Sequence, residues 1–186
     1  MKIDFNVVLL HDKMVDKQGT LVTTSLTMID VHDFARSTRT FGVTQTFVAH
    51  PSPVLRKLAR TLKEHWQEGF GSTYNVNRKD ALSPLSIVSD LDEAIALIDK
   101  RTGKLPKLVA TSARKGPGRI SYTKMKEILA EDDTPYLLMF GTGWGMSDQL
   151  LERADLFLEP VLGPGEYNHL SVRSACAIIL DRLFGS

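Results

Sequence analysis

The chain has 186 residues, 42% of them apolar and 24% charged, with 23 Lys and Arg against 22 Asp and Glu. That length and mixture suit one domain burying roughly two-thirds or more of its unfolded surface, and they exclude disordered, collagen-like and disulfide-built classes. The near-neutral balance removes any global pull on polyanions, so a nucleic-acid partner needs a local basic patch.

The chain opens Met1-Lys2-Ile3-Asp4 without an apolar signal run. No stretch reaches the roughly 18 apolar residues of a membrane span, so a cytoplasmic protein with no membrane contact is expected. Residues 3–10 and 46–49 are rich in β-branched and apolar types and read as covered strands. Between them, 30–41 reads as a helix, with Asp30 as N-cap and Gly42 just past its end. A second helix over 53–66 is marked by Leu55, Leu58, Leu62 and Trp66, spaced three and four apart. Residues 68–83 lack periodicity and read as a surface excursion. Residues 85–88 then read as a strand, and Asp90 with Glu93 has capping-box spacing ahead of a helix. Further strands are expected at 105–110, 136–140 and 156–158, with helices after Ser121, Met146 and Asn168. Alternation of this kind implies an α/β fold, a mostly parallel sheet with helices on both faces. The single cysteine, Cys176, lies in an apolar run and reads as a small core residue.

Ligands of such sheets bind beyond the carboxyl ends of the strands. Three segments supply loops there. The first holds Ala110, Thr111, Ser112, Ala113 and Arg114; the second holds Phe140, Gly141, Thr142, Gly143, Trp144 and Gly145. The third runs from Glu159, Pro160 and Val161 to Asn168, His169, Leu170 and Ser171. Glycines at 141, 143 and 145 allow tight turns and close backbone approach to a flat, uncharged group such as adenine. A dinucleotide fingerprint fits poorly, because its last position is Met146 and the loop comes late in the chain. Glu159 stands about where a ribose contact would, which keeps a nicotinamide cofactor as a second reading. No phosphate-loop motif is present, and the spacing of His32, Asp33 and His169 matches no metal motif, so no metal is expected.

Three segments in order resemble the SPOUT superfamily of RNA methyltransferases. The first is Asp30-Val31-His32-Asp33-Phe34-Ala35-Arg36-Ser37-Thr38-Arg39-Thr40-Phe41-Gly42, similar to the family's helix that carries a catalytic arginine. The second is Leu137-Leu138-Met139-Phe140-Gly141-Thr142-Gly143-Trp144-Gly145-Met146, similar to its strand and glycine-rich loop. The third is His169-Leu170-Ser171-Val172-Arg173-Ser174-Ala175, opening the last helix. The likeness covers nearly the whole chain and is greatest to a bacterial domain associated with the tRNA guanine-N1 methyltransferases. It implies a C-terminal trefoil knot, a topology otherwise almost absent from proteins. It also implies S-adenosylmethionine held by the three loops, a homodimer, and an RNA substrate with tRNA as the leading candidate.

Arg36 is the catalytic residue that the resemblance implies, and Asp30, Asp33 and Glu166 are candidate general bases. Arg36 and Arg39 on one helix face, and Arg114 and Lys115 beside the first loop, are candidate RNA contacts. Tyr74, Asn75, Asn77, Arg78 and Lys79 in the excursion are further ones. Where ribose 2′-O methyltransferases of the superfamily have Asn six residues before the arginine, this chain has Asp30, and Ser171 stands for a second Asn. Ring nitrogen and ribose hydroxyl therefore both remain as acceptors. The same departures motivate a different class of function, a non-catalytic cofactor- or RNA-binding module acting beside a partner enzyme.

Overall fold

The computed structural model describes residues 3–131 and 133–185. In chain order it contains β1 (Phe5–Leu10), β2 (Met14–Val15), β3 (Leu21–Val22), α1 (Met28–Thr40), β4 (Gln45–Ala49), α2 (Pro53–Gln67), α3 (Gly71–Tyr74) and α4 (Val76–Leu82). It continues with β5 (Leu85–Val88), α5 (Leu91–Thr102), β6 (Lys107–Ala110), β7 (Arg119–Ile120), α6 (Tyr122–Glu131), β8 (Tyr136–Gly141), α7 (Asp148–Leu151), β9 (Leu156–Leu158) and α8 (Val172–Phe184). Seven strands form one sheet in the order β5-β4-β1-β8-β6-β9-β7, and every pairing in it is parallel. The expected α/β class holds. The antiparallel hairpin β2–β3 and the edge strand β7 were not foreseen, each being only two residues long.

Strand β1 is buried along its whole length, and β8 at all but its last residue, as parallel strands covered on both faces must be. Side chains alternate: Phe5, Val7 and Leu9 join Phe34, Val31, Leu180 and Met125 on the face covered by α1, α6 and α8. Val8 and Leu10 join Met139, Ile98 and Leu150 beneath α5 and α7. Among the described residues, no helix is long and apolar enough to cross a membrane.

Helix α1 starts earlier than expected. Its N-cap is Thr27, whose Oγ1 accepts from the Asp30 amide at 3.4 Å and donates to Asp30 Oδ2 at 2.5 Å. Asp30 is thus the third helical residue, and the helix ends in a Schellman turn at Gly42, φ 70°. There the Val43 amide reaches Thr38 O at 3.0 Å and the Gly42 amide reaches Arg39 O at 3.2 Å. The Asp90 cap of α5 is as expected, accepting from the Glu93 amide at 2.9 Å, while Glu93 Oε2 accepts from the Ser89 amide at 2.6 Å.

On α2, Leu58 is half exposed, and the contact face runs instead through Leu55, Ala59, Leu62 and Trp66. The reason is its place at the sheet margin. Arg60 and Lys63 donate to the Ile87 and Leu85 carbonyls of edge strand β5, at 3.2 and 2.5 Å, which blocks that edge from further pairing. The excursion at 68–83 is more ordered than its lack of periodicity suggests, for it contains α3 and α4, packed on α2 and α1.

Candidate active site

Strands β8, β6 and β9 are neighbours in the sheet, so their carboxyl ends deliver the three predicted loops to one edge. Interactions between the loops tie them together. Asn168 Nδ2 donates to Ala113 O at 2.8 Å, Arg114 reaches Trp144 O at 3.5 Å, and the rings of Trp144 and His169 lie 6.5 Å apart.

The glycine loop is held mainly by its own chain. Val15 donates to Gly145 O at 2.9 Å, and Trp144 donates to Val15 O at 3.2 Å. Thr142 Oγ1 donates to Leu10 O at 3.1 Å and lies 2.5 Å from Thr24 Oγ1. Gly143, at φ 60°, passes so close that a Cβ there would lie 3.1 Å from Thr24 Cγ2. A Cβ on Gly141 would lie 2.7 Å from Met146 Cγ. A Cβ on Gly141 would also lie 3.1 Å from Met14 Sδ, so both glycines admit close contact with the chain's own segment 14–24. The segment itself is clamped from below: the Thr24 amide donates to His11 O at 2.8 Å, and His50 Nε2 lies 3.0 Å from Thr24 O.

Several predicted residues present backbone rather than side chain to this edge. Ala110 is buried, and Phe140 is buried with its ring 5.6 Å from that of Phe34. Thr111 Oγ1 donates back to Met139 O at 2.8 Å, while Ser112 Oγ accepts from the Arg114 amide at 3.1 Å. Glu159 is occupied: its Oε1 accepts from the Tyr122 amide at 3.1 Å, and its carbonyl accepts from Tyr122 Oη at 3.1 Å. That engagement ties one carboxylate oxygen of Glu159 to the start of α6. Pro160 is buried and Val161 half-buried. Beyond them the loop opens, with Leu162, Tyr167 and Leu170 exposed, as is Trp144. Among the described residues, no backbone–backbone hydrogen bond involves residues 160–170. Free amides and carbonyls beside exposed apolar side chains suit a ligand with an uncharged heterocycle.

Helix α8 carries this edge to α1. Ser171 caps it, its Oγ accepting from the Ser174 amide at 3.1 Å. Two residues on, Arg173 donates to Asp30 Oδ1 at 2.5 Å and lies 3.4 Å from Asp33 Oδ2. Asp33 lies in turn 4.0 Å from Arg36, whose side chain is 63% exposed. Asp30 is buried with both carboxylate oxygens engaged, by Thr27 and Arg173. Arg39 is a turn away, in a two-point pair with Asp80 at 2.9 and 3.0 Å. Arg114 and Lys115 are exposed beside the first loop. His32 packs edge-on to Trp66, at 5.9 Å, and among the described residues no group of three His, Cys, Asp or Glu side chains could hold a metal ion. Sequence reasoning missed Arg173, although it stands within the third motif, because its partner Asp30 lies 143 positions away and no local pattern marks the pair.

Residues 4–185 match a family described as SAM-dependent RNA methyltransferase. The chain belongs to that family. It is 43% identical over 177 residues to a tRNA (guanine-N(1)-)-methyltransferase of Nitratidesulfovibrio vulgaris, and 41% identical over 177 residues to one of Oleidesulfovibrio alaskensis. Each match covers 95% of this chain but 41% of the relative, so the chain spans about two-fifths of the length of these proteins. Its fold is shared with the SpoU methyltransferase AviRb of Streptomyces viridochromogenes in complex with the cofactor AdoMet, at a TM-score of 0.59 and 17% identity. That alignment covers 99% of this chain and 58% of the other. The likeness to RNA methyltransferases seen in the three motifs is thereby borne out, the fold is the one the SpoU methyltransferase has, and the family's catalytic reading takes precedence over a purely binding module.

Proposed function

We propose that the chain methylates a structured RNA, tRNA before others, with S-adenosylmethionine held at the edge formed by the β6, β8 and β9 loops. The observation that carries this is the convergence of those three loops beside α8, in a chain matched to the methyltransferase family over residues 4–185. The backbone of 110–112, 140–145 and 159–161 and the open stretch at 168–171 are the proposed holders of the cofactor, which when bound supplies an electrophilic methyl group.

The chain's own residues do the rest. Arg36, exposed and one turn from Asp33, holds a phosphate or the acceptor nucleotide. Asp33 is the more accessible of the two acids and accepts the acceptor's proton, while buried Asp30 fixes Arg173 and through it the join between α1 and α8. Arg39, Arg114 and Lys115 add positive charge along the RNA's path.

A cytoplasmic homodimer is part of the same proposal, supported by the exposed Trp144, Leu162, Tyr167 and Leu170 around the loops. So is the trefoil knot, supported by α8 packing on α1 although it follows β9, three strands away from β1 in the sheet.

The test is transfer of labelled methyl groups from S-adenosylmethionine into total RNA of a strain lacking the protein. Wild type is expected to label it, and Arg36→Ala to lose the activity by orders of magnitude while the cofactor-induced rise in melting temperature persists. Unlabelled RNA with wild type, or normal turnover with Arg36→Ala, would overturn the assignment in whole or in its catalytic residue.

A further inference from the structure

We propose that the excursion carrying α3 and α4 is a stacking platform for unpaired nucleotides of the RNA, presented by the rings of Phe70 and Tyr74. This rests on the RNA-methylating reading above and adds how, and where, single-stranded nucleotides are gripped.

The excursion is anchored by residues other than these two rings. Trp66 receives the Arg78 guanidinium 4.5 Å above its ring centre, with His65 at 5.0 Å. Gly71 closes against it, where a Cβ would come within 2.6 Å of Trp66 Cε3. Asn75 caps α4 by accepting from the Arg78 amide at 3.0 Å, and Gln67 Nε2 donates to Lys79 O at 2.6 Å. The Arg39–Asp80 pair fastens α4 to α1. Phe70 and Tyr74 take no part in this, being 76% and 75% exposed. The two rings stack, with centroids 5.9 Å apart and planes within 24°, which leaves their outer faces to solvent beside exposed Val76. A fixed scaffold holding exposed aromatic rings marks a binding surface.

Charge selects the occupant. Residues 28–83 hold eight Lys and Arg against five Asp and Glu, whereas the whole chain is nearly balanced at 23 against 22. Of those five acids, Asp30 and Asp33 are paired with Arg173 and Asp80 with Arg39, while Glu64 and Glu68 are exposed and Arg78 and Lys79 follow the rings in the same excursion. Arg78 and Arg36 both stand near His32, whose imidazole is held toward its neutral form by burial and then by those cations. The shelf reaches the helix of the proposed catalytic arginine through Trp66, which carries the Arg78 guanidinium on its ring and the α1 residue His32 edge-on at 5.9 Å. Stacked rings beside cations suit bases and phosphates together, and base faces are available only where nucleotides are unpaired.

The experiment measures binding of unmodified tRNA, of a single-stranded RNA and of a duplex of equal length, by fluorescence anisotropy. The Phe70→Ala/Tyr74→Ala protein is expected to bind tRNA and the single strand at least about tenfold more weakly. Phe70→Tyr and Tyr74→Phe should stay within about twofold, as the aromatic face is retained. The rise in melting temperature with S-adenosylmethionine should be unchanged throughout. Wild-type affinity for tRNA in the double alanine variant would overturn the platform and leave the methyltransferase reading standing. A double variant that loses a dimer in sedimentation but binds RNA normally would assign the rings to a second copy and overturn it as well. Wild type that neither binds nor methylates RNA would sink both proposals.

Discussion

The glycine loop after β8 and the loop at 160–170 lie side by side, yet they are built in opposite ways. The first is stitched to segment 14–24 by backbone bonds on both sides of Trp144 and by the Thr142–Thr24 contact. Among the described residues, the second has no backbone–backbone bond of its own and is tied chiefly by Asn168 to Ala113 O. A site with one wall preformed and one wall open loses less order on binding than a wholly loose one, and it still lets the ligand enter. The open wall also shows the apolar side chains, Leu162, Tyr167 and Leu170, that a ligand or neighbour would cover.

The strongest attempt to break this contrast is Gly143→Val. A branched side chain at φ 60°, with its Cβ 3.1 Å from Thr24 Cγ2, should cost about 2–4 kcal/mol and remove cofactor binding. Denaturant unfolding and calorimetry check it, and wild-type stability with wild-type affinity would mean that the preformed wall does not depend on Gly143. Next comes Arg173→Ala, which leaves buried Asp30 without its cation. Because Arg173 is about a third exposed, the loss should be about 2–3 kcal/mol, less than for a fully buried pair. Asp33→Asn, whose contact at 3.4 Å is looser, should cost clearly less than that.

A smaller and graded effect concerns the floor beneath Thr24. Burial pushes the His11 imidazole below its ordinary value of 6.5, and neighbouring His50 pushes the same way, against the Ala49 carbonyl and Asp30. The unfolded chain therefore binds a proton more readily than the folded one, so stability is full above about pH 6.5 and declines as pH falls below it. His32, also depressed by burial, adds to the same slope. Unfolding measured between about pH 7 and 5 should show that decline, flattened in His11→Asn; an equally steep slope in the variant would exclude His11 as a source. The smallest effect belongs to the open wall. Gly165 has no positive φ and nothing within 4 Å of a built Cβ, so Gly165→Ala should change stability by less than about 1 kcal/mol, toward greater stability. A large loss there would show the loop to be packed after all.

Much of the fold was legible in residues alone because its signals are local. The continuous apolar runs of β1 and β8, the Asp90–Glu93 capping box and Gly42 past the end of α1 each work within a few positions. The three loops were legible too, since parallel strands followed by glycines and turn residues place their loops at one sheet edge. Where local signals competed, the reading slipped. Thr27 displaces Asp30 as the cap because its extended backbone leads into the first turn and its hydroxyl accepts from the Asp30 amide, and the Leu58 stripe gives way to Ala59 because α2 lies over a sheet margin.

Tertiary structure alone decided what each polar residue in the site is free to do. The strand order that sets β8 between β1 and β6 brings segment 14–24 against the glycine loop and α8 against α1, joining residues more than a hundred positions apart. That is why Glu159 is a helix anchor, Asp30 a partner of Arg173, and Arg39 a partner of Asp80, while Arg36 and Asp33 keep exposed atoms. Composition and motif name the residue types that the chemistry needs. Which of them remain unspent depends on ion pairs and hydrogen bonds across the fold, and these have no period along the chain from which they can be read.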